Sequence, residues 1–330
     1  MAKKGSNART KAGEPRGEGT VIRNTGSAYT VRLGDGTDVP CRVKGNFRIK
    51  GIRTTNPVAV GDRVLVSHAA DDADYITRVL PRRNYIIRRA SNLSKESHIL
   101  AANIDRAFLI ATLREPVCTT TFIDRFLATA EAYDIPATLV LNKADLWDDE
   151  DRQIADAMKY LYSTAGYPTL FTSTVTGEGM DVLREAVSGK ISLMAGNSGV
   201  GKSSLINVLV PGANLRTSEI SDMHHTGMHT TTFSEMIALP SSGWLIDIPG
   251  VKGFGVIDFK PEEVSHYFPE IFRIGADCRY SDCKHTGEPG CAVREALEKH
   301  LISESRYASY LSILEEAGEE AAADKYRKPF

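Results

Sequence analysis

The chain has 330 residues, 40 Lys+Arg against 42 Asp+Glu, a net charge of −2 and 42% hydrophobic residues, enough for two or three domains with real cores. No run approaches the apolar length of a membrane span and the N-terminus is polar and basic without an apolar signal region, which points to a cytosolic protein with no membrane partner. The charge is uneven: residues 1–100 hold 19 Lys+Arg against 9 Asp+Glu, leaving 21 against 33 for the rest, so a basic module precedes an acidic body and nucleic acid is its natural partner.

Residues 1–17, with Lys3, Lys4, Arg9, Lys11 and Arg16, read as a disordered basic tail. From 18 to 80, short alternating runs ("GTVIRN", "AYTVRL", "TDVPCRV", "VAVGDRVLVS", "YITRVL") are separated by turn formers such as Gly34-Asp35-Gly36, and five such strands predict a small OB-like barrel that binds RNA on a basic face. Residues 81–100 read as a linker. Its "PRRNYIIRRAS" is either a nucleic-acid-facing hinge or a linker over a buried apolar patch.

From 101 to 255 the texture becomes strand and helix in turn. "AFLIAT", "ATLVL", "TLFT", "ISLMA" and "WLIDI" alternate with helical segments, which predicts an open, mostly parallel α/β sheet with ligands at the carboxyl ends of its strands. "GNSGVGKSS" satisfies GxxxxGK[ST] after a strand and before a helix. Gly196, Asn197, Ser198, Gly199, Val200, Gly201, Lys202, Ser203 and Ser204 are therefore expected to cradle phosphates, with Lys202 on β/γ charge and Ser203 on Mg²⁺. "NKAD" ends an earlier strand: Asp145 suits the two N–H donors of guanine, Asn142 its N7/O6 edge, Lys143 the ring face, with Ala144 between them and Ser173 on the following loop. "DIPG" offers Asp247 to the Mg²⁺ side and Gly250 to the γ-phosphate, and "HTTT" offers Thr230 or Thr231 as a second Mg²⁺ ligand. Val251 stands where many GTPases carry a water-orienting glutamine, so His229 is the candidate catalytic residue. The base motif precedes the phosphate loop, a rotation that predicts a circularly permuted P-loop GTPase.

Residues 256–330 hold Cys278, Cys283, His285 and Cys291 within fourteen positions, a Cys₃His set suited to one structural Zn²⁺ in a small helical domain, with helices from about Ala292 to His300 and Glu304 to Glu316 too short for a core of their own.

The order "NKAD", "GNSGVGKSS", "HTTT", "DIPGVKGFG", zinc quartet resembles the ribosome small subunit-dependent GTPase A family over roughly residues 18–317. The resemblance implies a protein that binds the small ribosomal subunit and its rRNA late in maturation, hydrolyses GTP slowly to GDP and phosphate, and is stimulated by the subunit; a monomer is expected. It also implies a catalytic role for His229. Two other classes stand beside it: a GTP-binding RNA assembly module that needs no turnover, encouraged by Val251, and a P-loop kinase or ATPase, opposed by Asp145.

Overall fold

The computed structural model describes residues 14–26, 28–43, 57–69, 72–89, 97–215, 235–247 and 259–326. Strands β1 (Glu14–Asn24), β2 (Tyr29–Leu33), β3 (Asp38–Val43), β4 (Arg63–His68) and β5 (Asp74–Val79) run in the spatial order β1-β2-β3-β5-β4, and β4 pairs back onto β1, which closes a barrel. Its filling follows the period of two: Val21, Tyr29, Val31, Val39, Cys41, Val64, Val66 and Ile76 point inward and are buried, while their neighbours along each strand face out. β1 begins at Glu14, four residues before the expected start of the barrel at residue 18. Glu14 and Pro15 pair with His68 and Ser67, and Arg16 bonds Asp74, so the edge of β4 recruits residues whose composition alone reads as tail.

β6 (Tyr85–Arg89) and β7 (Ser97–Ala102), which fall mostly within the expected linker 81–100, pair antiparallel. Ile86 and Ala101 enter the same apolar core as the α/β body, so this stretch carries a buried apolar patch. Gly61 shows how tightly the barrel sits on it. Its φ is +84°, and a Cβ there would lie 2.1 Å from the Ala102 carbonyl oxygen, so only glycine fits. The Asn103 amide donates to the Gly61 carbonyl oxygen beside it, at 2.9 Å.

The body holds β8 (Arg106–Ala111), α1 (Thr120–Ala132), β9 (Ala137–Asn142), α2 (Asp149–Thr164), β10 (Thr169–Thr172), α3 (Met180–Val187), β11 (Ile191–Gly196), α4 (Lys202–Leu209), β12 (Glu235–Ala238) and β13 (Trp244–Asp247). The strands lie in the order β10-β9-β8-β11-β13-β12. All pair in parallel except β12, an antiparallel strand absent from the sequence reading, whose four residues "EMIA" are too short to show a period. β12 also meets β1 at Arg23–Glu235, so barrel and body share one continuous sheet. β8 and β9 are apolar on both faces because helices cover both. The base motif at the end of β9 thus comes before the glycine loop at the end of β11, the circularly permuted order.

The C-terminal unit contains α5 (Pro269–Gly275), α6 (Ala292–Glu298) and α7 (Glu304–Tyr326), the last ten residues longer than the spacing predicts. Contrary to expectation it has an apolar core: Phe259, Val264, Phe268, Ile271, Val293, Ile302, Tyr310 and Ile313 are buried together with Ala128 from α1. The sequence reading missed this because the core is completed by the packing of α7 and its neighbours against Ala128 of α1, a contact with no local signature. A buried Arg306 ties the seam, donating to both Glu270 oxygens at 2.7 and 3.0 Å and to Asp124 of α1 at 3.0 Å. Among the described residues no helix is long and apolar enough to cross a membrane.

Candidate nucleotide site and metal centre

β9, β10, β11 and β13 end at one edge of the sheet and bring Asn142, the Ser173 loop, the glycine loop and Asp247 there. The glycine loop turns between β11 and α4, with Gly199 at φ +85° and Gly201 at φ +87° as the residue that caps α4. A Cβ on Gly201 would lie 2.4 Å from the Asn142 side-chain nitrogen, so both backbone and space exclude any other residue. Lys202 opens α4 and forms an ion pair with Asp247 at the end of β13. The two groups assigned to phosphate and to Mg²⁺ are therefore neighbours and neutralise each other. Ser203 and Ser204 follow in the first turn of α4, after Asn197, Ser198 and Val200 in the loop.

Asn142 joins the base loop to the glycine loop. Its Nδ2 donates to the Val200 carbonyl oxygen at 2.8 Å and its Oδ1 accepts from Thr172 Oγ1 at 2.9 Å, leaving one amide hydrogen for a base. Lys143, left-handed at φ +61°, sends its ammonium to the Glu115 carbonyl oxygen at 2.5 Å. Asp145 is exposed in a single 3-10 turn, and the buried Ser173 donates its hydroxyl to Asp145 Oδ1 at 2.5 Å. Ser173 Oγ in turn accepts from the N–H groups of Val175 and Thr176, at 3.1 and 3.2 Å, so the carboxylate is aimed by a hydroxyl that is itself fixed. Each carboxylate oxygen keeps a lone pair for a further donor, the requirement for pairing with two N–H groups of one ring edge.

Several residues that hold this arrangement were not legible in the sequence. Arg114 pairs with Asp148 and Asp151, which also form the reciprocal cap of α2, and Arg152 forks onto Glu178. The cap had a signal, acidic residues three apart before a helical run. The arginine partners had none, because they lie 34 and 26 residues from their carboxylates. The Arg152 hydrogen bonds hold the Glu178 carboxyl below the usual carboxylate range despite some opposing burial.

His229, Thr230, Thr231, Gly250 and Val251 lie outside the described residues.

Cys278, Cys283, His285 and Cys291 converge, one ligand atom from each lying within 4.8 Å of all the others. The Sγ atoms of Cys278 and Cys291 are each 3.5 Å from His285 Nδ1 and 4.0 Å from one another. A tetrahedral zinc ion with S at about 2.3 Å and N at about 2.0 Å requires S···S near ~3.8 Å and S···N near ~3.5 Å, so the donor set fits such an ion in both chemistry and spacing. Burial pushes the Cys283 thiol up to about 12 and holds the His285 imidazole below its usual value, hence neutral with a lone pair to give. Tyr307 and Tyr310 hydroxyls donate to the carbonyl oxygens of His285 and Lys284, at 2.6 and 2.7 Å, and fix the loop from α7. Burial works to raise the Glu288 carboxyl, but the N–H groups of Gly287, Lys284 and Thr286 outweigh it and bring Glu288 to about 2.

Two family models match the chain: the RsgA N-terminal domain over residues 18–76 and the RsgA GTPase over residues 79–257. A protein of Porphyromonas gingivalis named small ribosomal subunit biogenesis GTPase RsgA is 58% identical over 318 residues, covering 95% of this chain and all of the relative, and one of the same name from Bacteroides fragilis is 54% identical over 313 residues with the same coverage. Among solved structures, YjeQ from Thermotoga maritima superposes with a TM-score of 0.74 at 36% identity over 91% of this chain and 98% of its own, and YloQ, described as a circularly permuted GTPase, with 0.70 at 26% identity over 99% and 100%. With its closed barrel, permuted sheet and clustered Cys₃His set, the chain belongs to the RsgA family of GTP hydrolases.

Proposed function

We propose that this GTPase binds the small ribosomal subunit in the cytoplasm, assists its late maturation as a monomer, and turns GTP over faster on the subunit than off it. The observation that carries the nucleotide part is the junction at Asn142, whose amide donates to Val200 and accepts from Thr172, while the next residue, Ser173, aims Asp145: adjoining strand ends tie the base-reading carboxylate to the loop for the phosphates. The names of the relatives support the ribosomal part.

In this reading Asp145 accepts from the guanine ring N–H and amine, and an adenine would leave the carboxylate unpaired. The N–H groups of Gly196 to Ser204 and the Lys202 ammonium surround the phosphates, and Gly250 meets the γ-phosphate. Nucleotide entry draws Lys202 away from Asp247. Asp247, Ser203 and Thr230 or Thr231 would hold Mg²⁺, which supplies charge neutralisation between β- and γ-phosphates when bound. His229 orients the attacking water in place of Val251. Cys278, Cys283, His285 and Cys291 hold one Zn²⁺, a closed set with a structural role. The barrel faces rRNA with its arginines.

The test is phosphate release with and without separated subunits. Stimulation by the small subunit alone is expected, and His229→Ala should keep GTP affinity while lowering stimulated turnover on the order of 10²-fold. Recovery of turnover at saturating subunit would assign His229 to docking instead.

A further inference from the structure

Around the base-reading loops runs a closed circuit of contacts that the GTP-binding residues themselves do not explain. Trp147 ends the 3-10 turn that carries Asp145. Its ring lies under the Arg152 guanidinium, 4.9 Å from centroid to Cζ, and meets Phe171 of β10 edge-on at 5.2 Å. Arg152 then forks onto Glu178, Nη1 to Oε1 and Nη2 to Oε2, both at 2.7 Å. The Glu178 carbonyl oxygen accepts from the Ser173 N–H at 3.0 Å, and Ser173 returns its hydroxyl to Asp145. The fork spans the two segments, one carrying Asp145 and one carrying Ser173, whose relative position decides where the carboxylate points.

We propose that Arg152 is a positioning residue for guanine specificity: by stacking on Trp147 and chelating Glu178 it locks the Asp145 turn and the Ser173 loop in register, without touching nucleotide. The proposal rests on the reading that Asp145 binds guanine. Energetics favour this role over one in general stability. The side chains of Arg152 and Glu178 are 40% and 36% exposed, and ion pairs so exposed add little to folding. Their planar fork and ring stack nonetheless restrict geometry where an error of about 1 Å is costly. Arg114 restrains the start of α2 from its other side, against the loop after β8, and so does not duplicate the link to the Ser173 loop.

The experiment compares GDP with IDP, which lacks only the exocyclic amine, by measuring Kd for each. The native chain should prefer GDP by about tenfold or more, the worth of a hydrogen bond to a charged acceptor. Arg152→Ala should weaken GDP about fivefold while changing IDP less than about twofold, because only the amine contact demands the lost alignment. Glu178→Gln should do the same, Arg152→Lys should fall between, and the denaturation midpoint should stay within the scatter of the native chain. Equal weakening of GDP and IDP by Arg152→Ala, or no change in either, overturns the positioning role. Asp145→Ala separates the two levels. If the native chain prefers GDP and Asp145→Ala abolishes the preference, the base reading stands and the Arg152 result is decisive; if Asp145→Ala leaves the preference intact, the base reading fails and the role of Arg152 fails with it.

Discussion

Around the glycine loop, side chains from β9, β10, α4 and β13 gather although Asn142 and Asp247 lie far apart in the sequence, whereas the prospective metal ligands all fall between Cys278 and Cys291. The first group is placed by the sheet and satisfies its own polar atoms: Asn142 on Val200, Ser173 on Asp145, Lys202 on Asp247. The second is placed by short loops and brings three sulfurs and an imidazole face to face, with only weak S–H donors between them. The first set is held by contacts that involve no ligand, whereas three cysteines and a histidine gathered by short loops are expected to depend on an ion that collects them.

The largest effect should therefore come from the metal side. Cys283→Ser, or removal of the ion by a chelator, is expected to strip the C-terminal unit of metal and open it to protease, since structural zinc contributes on the order of 10 kcal/mol in small domains. The α1-packed core should limit the damage to residues beyond about Phe259, and nucleotide affinity should hold. Metal analysis and limited proteolysis check this, and a native chain without metal would remove the contrast.

Arg306 sharpens it at the seam. Burial pushes the Asp124 carboxyl above its usual range even with the guanidinium beside it, so Arg306→Met strands two buried carboxyl groups and should cost about 3–5 kcal/mol in a denaturant titration. Adding Asp124→Asn and Glu270→Gln should recover part of that loss.

On the nucleotide side Lys202→Ala should leave the folding midpoint nearly unchanged, because the side chain serves a ligand and one partly exposed ion pair, yet weaken GTP by about tenfold or more. A large fall in stability with intact affinity would reverse the roles assigned to the two regions.

What could be read in the sequence follows the same division. "NKAD", "GNSGVGKSS" and the Cys-x4-Cys-x-His-x5-Cys run are contiguous, and the barrel strands alternate with period two, so chemistry and fold class were visible in local pattern. β8 and β9 were visible because burial on both faces leaves an unbroken apolar run. Arg152 was not, since a solvated helix face and a clamp on Glu178 have the same composition. Nor were the start of β1 at Glu14 or the Arg306 cluster, each fixed by a partner distant in sequence, and the β6–β7 pairing was hidden in a stretch whose four arginines read as a linker.

The proposed link between GTP at the glycine loop and the small ribosomal subunit is tested most directly by nucleotide-dependent co-sedimentation with separated subunits. With a non-hydrolysable GTP analogue the chain should pellet with the small subunit and not the large one, GDP should release most of it, and Lys202→Ala should abolish the difference. Equal sedimentation with GTP analogue, GDP and no nucleotide, or a preference for the large subunit, would contradict the account.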